Sequence, residues 1–266
     1  MLPDVATTAV HQGTVLLAHA ETTLWLMLRI GAMLTVAPLI GTRATPARVR
    51  LILTGMLALT LAPFLPVAPG FTVPDAALVL AVARELAIGA SIGLILRLAF
   101  EAGAWAGEAV SFGMGLAFAQ MADPLRGQNS GVVGQFFYIS LALLFFSIDG
   151  HLALVNLVYD SYLTVPPTTP MPDPVAVFSA LPNFVPTVLH IAFRIALPVM
   201  LALLVVNLAF GLLGRAAPSF NPIQVGLPAS LLVGLVLLGI LVGEMMEPVL
   251  ELFNAAFRQA GGMFGG

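Results

Sequence analysis

Six apolar stretches run along the chain, at roughly residues 24–41, 51–69, 76–100, 132–148, 185–213 and 225–243. Each is long enough, or nearly so, to cross a hydrocarbon layer of about 30 Å as a helix of about 20 residues. The segments between them carry turn chemistry: RATPARVR at 43–50, PVAPGFTVP at 66–74, DPLRGQNSG at 123–131 and PPTTPMPDP at 166–174. The last is too rich in proline to be helical. Two further segments are less uniform. Residues 5–22 mix Thr and His with Val and Leu, and residues 101–122 are rich in glycine; both are expected to be helical at least in part. No internal repeat stands out, since the shared feature of Arg29 and Arg194, each in an apolar helix followed by proline, is too short to weigh.

Composition turns this pattern into a class. Of 266 residues 59% are hydrophobic and 9% charged, with a mean hydropathy of +1.03, against roughly 45–50% and about 25% in ordinary soluble domains. A globule of this size must cover itself with polar side chains, so a soluble enzyme is excluded. About six helices with short connections use up the length, and residues 1–266 are expected to form one integral membrane domain. The net charge is −3 and every one of the ten basic residues is arginine. No basic run is present to hold nucleic acid. Without cysteine there is no disulfide, thiolate nucleophile or cysteine metal site. The first basic residue is Arg29, so the N-terminal stretch lacks the positive region that opens a secretory signal, and the first helix is expected to be retained.

Arginine placement suggests an orientation, because short Arg-rich loops stay cytoplasmic. Arg43, Arg48 and Arg50 follow the first stretch, Arg126 the third and Arg215 the fifth, while 66–75 and 149–174 carry none. Six crossings would then alternate, with both termini outside.

An ionisable group at the centre of a membrane helix costs about 2.5–3.5 kcal/mol on insertion scales. Arg29, Arg84, Glu85, Arg97, Glu101, Glu108 and Arg194 all lie within or against apolar segments. The plain explanation is pairing inside the protein: Arg97 and Glu101 are one helical turn apart, and Arg84 and Glu85 could each meet a partner on another helix. The functional one is a path for ions or protons, for which Glu101 and Glu108, seven apart, share a face. Catalysis has no comparable foothold. His11, His19, His151 and His190 form no HExxH, the YD pair at Tyr159 and Asp160 lacks its second acid, and neither GxSxG nor a phosphate-binding loop occurs. No cofactor is expected.

Small residues give a stronger signal. Gly89 and Gly93 form one GxxxG, and Gly103, Gly107, Ser111, Gly115 and Ala119 recur at every fourth position. Such a stripe flattens a helix face for close approach, the way helices pack in lipid. It winds around its helix, because 3.6 residues per turn does not divide four. Pro38, Pro63, Pro66, Pro198 and Pro228 interrupt or edge the apolar spans, and kinked helices persist where neighbouring protein or a water-lined cavity satisfies the freed carbonyls. Finally, FGMGLAFAQMADP at 112–124 sets Phe112, Met114, Phe118 and Met121 among glycines and stops at Asp123 and Pro124. Bulky, deformable apolar groups on such a loop could seal a pore by excluding water, or could simply pack in a core.

Five blocks in order then carry a family resemblance: RIGAMLTVAPLIGTRATPARVR (29–50), ELAIG (85–89), GMGLAFAQMADP (113–124), SIDGH (147–151) and RIALPVMLALLVVNLAFGLLGRAAPSFN (194–221), with GLP at 226–228 before another apolar helix. Together they resemble the FliR family of flagellar biosynthesis proteins, within the broader type III secretion family that includes injectisome homologues. NPIQVG at 221–226 departs from the more apolar run expected there. The resemblance implies an all-α membrane protein whose helical hairpins are built into a larger helical assembly. It also implies a non-enzymatic export-gate subunit that works with FliP and FliQ, and with FlhB and FlhA, to pass unfolded flagellar subunits across the bacterial inner membrane at the basal body. The loop matching 112–124 would reach into the closed pore as a plug, and the helices would lie largely above the membrane plane. A self-contained ion-coupled transporter using Glu85, Glu101 and Glu108 is the reading from another class.

Overall fold

Proline and glycine set the ends of the helices. A computed structural model describes residues 5–42, 45–66, 76–116, 131–167, 169, 174–217 and 222–264. The elements are α1 (Val5–Val36), α2 (Ala47–Leu61) running into a 3-10 turn (Ala62–Phe64), α3 (Ala76–Gly113), α4 (Val132–Ser147), α5 (Gly150–Thr164), α6 (Pro174–Ala216), α7 (Pro222–Glu244) and α8 (Met246–Gly262). Among the described residues every regular element is helical, and the chain is an all-α membrane protein. Pro174 and Pro222 open α6 and α7, at the position where a missing N–H costs nothing. Pro63 ends α2 by tightening it into the 3-10 turn.

Four corrections to the sequence pattern follow. Among the described residues four helices are long and apolar enough to cross a membrane, at 47–64, 76–113, 179–216 and 225–244, and the bent pair α4 and α5 makes a fifth if it counts as one span. The stretch at 24–41 is not among them, because in α1 it is joined to His19, Glu21, Thr22 and Thr23 and carries Arg29. The orientation drawn from arginines presupposed six crossings. Second, residues 149–174 are no plain loop: α5 fills them as far as Thr164 after a bend of 69°. Third, residues 101–113 are the C-terminal part of α3 rather than a separate segment. Fourth, α8 was not anticipated.

The bend has a local cause. Asp149 takes a left-handed backbone, φ 56°, which Asp tolerates better than most residues. Gly150 follows with no room for a side chain, since a Cβ there would fall on the Phe145 ring and 2.9 Å from its carbonyl oxygen.

Two compact units divide the chain, one comprising Met1–Arg97, His151–Phe184 and Ala256–Gly266, the other Leu98–Gly150 and Val185–Ala255. In the first, Trp25, Leu26, Ile30, Met33, Ile88 and Ile92 are buried. The second is centred on Phe100, Phe145 and Phe253, whose ring centroids lie 5.0–5.6 Å apart in tilted and edge-on arrangements, the geometry that aromatic quadrupoles favour. Large apolar side chains remain exposed along α2 (Leu51, Ile52, Met56) and along α6 (Leu204, Val205, Leu208). Apolar surface on this scale suits lipid or protein neighbours, not water.

Candidate functional site

Three buried charges meet in the first unit. Arg29 of α1 donates through Nε to Glu85 Oε2 at 2.8 Å and through Nη2 to Glu85 Oε1 at 3.1 Å. Arg84 adds a bond from Nη2 to Glu85 Oε1 at 3.0 Å. Neither Arg29 nor Glu85 exposes any side-chain surface, and Arg84 hardly more. Two guanidiniums on one carboxylate leave an excess positive charge, and the end of α5 takes it up. Arg29 donates from Nη1 to Ser161 Oγ at 3.1 Å and from Nη2 to the Val165 carbonyl at 2.7 Å. Arg84 donates to the carbonyls of Pro166, at 3.2 Å, and Thr169. Helix C-termini present unpaired carbonyls and a partial negative charge, so cations belong there. The Arg29 guanidinium also lies 5.0 Å from the centre of the Tyr162 ring, within cation-π range. Chemically this is a tie joining α1, α3 and the exit of α5, with the Glu85 side chain bonded to two guanidiniums.

The other ionisable candidates are placed differently. Arg194 of α6, half exposed, pairs with Glu251 and, at 3.8 Å, with Glu247 of α8. Arg97 is exposed, and Glu101 and Glu108 are half-buried on α3. Among the described residues no cluster of His, Asp and Glu could hold a metal ion.

The small residues of α3 meet one neighbour after another. A Cβ at Gly89 would run into the backbone carbonyl of Arg29, and one at Gly93 would lie 2.6 Å from the Met33 carbonyl. The two contacts advance together along both chains, so α1 and α3 run parallel where they touch. In the second unit a Cβ at Gly103 would lie 3.1 Å from Leu141 Cδ2, and one at Gly107 would lie 2.5 Å from Gly134 Cα. Here the numbering runs in opposite senses, and α3 and α4 are antiparallel. Ser111 is buried one turn further on. The stripe thus serves close approach within this chain, first to α1 and then to α4.

Helix α3 ends in a defined turn, not a loosened one. Gly115 has φ +77°. The Leu116 N–H donates to the Ser111 carbonyl at 3.1 Å and the Gly115 N–H to the Phe112 carbonyl at 3.1 Å. This pair of bonds around a left-handed glycine is the Schellman arrangement. Of the candidate plug residues, Met114 is buried and packs on α7, where a Cβ at Gly234 would come 2.7 Å from Met114 Cγ. Phe112 is 63% exposed. Phe118 and Met121 lie outside the described residues, as does Ala119.

Sequence reasoning missed Asn207 and Ser230. Asn207 Nδ2 donates to the Gly113 carbonyl at 2.9 Å, and Ser230 Oγ donates to Asn207 Oδ1 at 2.6 Å. The signal was present: Asn207 is the one polar side chain in IALPVMLALLVVNLAFGLLG (195–214). It also missed Ser161, which orients Arg29.

Comparison with known proteins gives a likeness over nearly the whole length. Residues 20–256 match the family described as bacterial export proteins, family 1. The flagellar biosynthetic protein FliR of Pectobacterium carotovorum subsp. carotovorum is 37% identical over 238 residues, covering 88% of each chain. FliR of Escherichia coli strain K12 is 35% identical over 235 residues, covering 88% of this chain and 89% of that one. FliR of Bacillus subtilis strain 168 is 29% identical over 243 residues, covering 87% and 90%.

Proposed function

This chain belongs to bacterial export proteins, family 1, and we propose that it is a structural and gating subunit of the flagellar type III protein export gate. In this reading it forms with FliP and FliQ the channel through which unfolded flagellar subunits cross the inner membrane at the basal body, and it works beside FlhB and FlhA. The observation that carries the proposal is the end-to-end likeness to flagellar biosynthetic proteins. The exposed leucines and valines of α2 and α6 suit helices that are completed by partner subunits and lipid. In this reading Phe112, Phe118 and Met121 supply the apolar bulk of a plug, while Met114 is buried against α7.

An ion-coupled transporter would draw on Glu85, Glu101 and Glu108, and the first of these is bonded to both Arg29 and Arg84 in a structural tie. The test is genetic and biochemical together. Deleting the gene should abolish secretion of flagellar subunits, and the tagged chain should co-purify with FliP and FliQ. A chain that purifies alone, moves solute when reconstituted by itself, and whose loss leaves flagellar secretion intact would overturn the proposal.

A further inference from the structure

An open groove of about 400 Å³ runs along the first unit between α1 and α3. Its walls are Met27, Leu28, Ala32 and Val36 of α1 and Leu86 and Ala90 of α3. Gly31 and Thr35 complete the α1 side. From Met27 to Val36 a helix rises about 14 Å at about 1.5 Å per residue, close to the depth of one leaflet in a hydrocarbon core of about 30 Å. Thr35, the one hydroxyl in this lining, donates to the Gly31 carbonyl at 2.6 Å, so the walls hold out no hydroxyl to a polar ligand.

Charge gathers at one end. Helices α1 and α2 form a hairpin across the short link 37–46, and a Cβ at Gly31 would lie 3.5 Å from Thr54 Cγ2. The two are therefore antiparallel, and Arg50, one turn before Thr54, comes level with Thr35, one turn after Gly31. Long helical side chains lean towards the N-terminus of their own helix, which carries the Arg50 guanidinium past Thr35 to the mouth of the groove. Arg50 is half-buried, and its Nε, shut off from solvent, has no hydrogen-bond partner among the described residues. Arg48 stands exposed at the same end of α2. Residues 22–74 contain no Asp or Glu, so the hairpin supplies neither arginine with a counter-ion, whereas Arg29 has Glu85.

An apolar channel one leaflet deep that ends at cations is the complement of an amphiphile with a negative head. We propose that this groove binds an anionic phospholipid, with one acyl chain lying between α1 and α3 and the phosphate taken by Arg50, Arg48 being close by. A guanidinium grips phosphate oxygens through paired N–H donors, and basic sites between membrane helices select such headgroups. A whole helix, about 10 Å across, does not fit a groove of this size, and a small soluble anion leaves its apolar walls uncovered.

The test uses the complex as extracted from the membrane, with phosphatidylglycerol and phosphatidylcholine that each carry a light-activated group in one acyl chain. Adducts are mapped by mass spectrometry. Phosphatidylglycerol should label the groove, at Met27, Leu28 or Leu86, roughly 5-fold or more above phosphatidylcholine, the ratio that one arginine near a lipid phosphate gives. Arg50→Gln should abolish that difference, Arg50→Lys should keep most of it, and Ala90→Phe, which fills the groove, should remove labelling by both lipids. At the exposed Leu204 of α6 the two lipids should label alike in every variant. Equal labelling of the groove by both lipids in the parent overturns the proposal, as does a preference that Arg50→Gln leaves intact. Loss of the groove label in inorganic phosphate, but not in chloride of equal ionic strength, assigns Arg50 to a free anion and also overturns it. So does a light-activated residue at position 28 that joins to another protein chain and not to lipid, which places a partner subunit or a second copy in the groove. If Arg50→Gln does not assemble, salt decides: the preference should shrink as ionic strength rises, and a ratio indifferent to salt contradicts the phosphate contact.

Discussion

Glu85 and Gly89, one turn apart on α3, both address Arg29. The carboxylate takes the guanidinium in a two-pronged pair at 2.8 and 3.1 Å, and the glycine lies against the backbone carbonyl of the same residue. Close backbone approach and charge pairing depend on each other at this crossing. The small residue sets the distance at which the side chains can meet in a planar fork, and the fork repays the cost of burying the charges.

Glu85→Gln should strand two buried guanidiniums, at about 3–5 kcal/mol. The expected result is a large fall in folded protein and in the thermal unfolding midpoint, followed by size-exclusion chromatography in detergent. Glu251→Gln, at the half-exposed pair with Arg194, should cost about 1 kcal/mol or less. Equal losses in the two variants would contradict the account of the buried tie.

Three alanine substitutions should separate by what a Cβ meets. At Gly89 it meets the Arg29 backbone, which cannot give, and Gly89→Ala should destabilise by about 1–3 kcal/mol. At Gly103 it meets the tip of Leu141, which can, and the change should be near neutral. At Gly55, in α2, it meets nothing within 4 Å, and Gly55→Ala should stabilise by about 0.5–1 kcal/mol through helix propensity. Unfolding midpoints of the three variants, measured side by side, check the order.

Much of this was legible in the sequence, and the limits are physical. The small-residue stripe announced close packing, and composition announced a membrane protein. Pairing of Glu85 with a partner on another helix could be foreseen as a class, but the identity of Arg29 could not, because the two are joined only by tertiary structure. The 69° bend at Asp149 and Gly150 was hidden because Asp-Gly after an apolar run reads as an ending, and an apolar helix can resume at once. The helix α8 was passed over because its charges, Glu247, Glu251 and Arg258, mask a buried stripe of Val249, Leu252, Phe253, Ala256 and Ala260. Glycine at 113 and 115 gave no sign of its use, which is close contact at both positions and a left-handed turn at Gly115.

Gly115→Ala puts a side chain into that left-handed conformation, φ +77°, at roughly 1–2 kcal/mol, and also into Leu227. Gly115→Asn should be milder in strain, since Asn visits this region more readily. The expected readout is faster proteolysis between residues 112 and 130 in the alanine variant, with the framework helices unchanged. Equal protection in the parent and both variants would mean that the turn does not govern the segment.

The central claim is that unfolded flagellar subunits pass this chain at the 112–124 segment. The most direct measurement is photo-crosslinking during export, with a light-activated residue at position 118, a second at the exposed Leu204 of α6 as control, and a flagellar substrate stalled in the gate by a folded fusion. The account predicts an adduct between position 118 and the stalled substrate, and none from position 204. Absence of the adduct at 118 in an assembled gate that demonstrably holds the stalled substrate would contradict it.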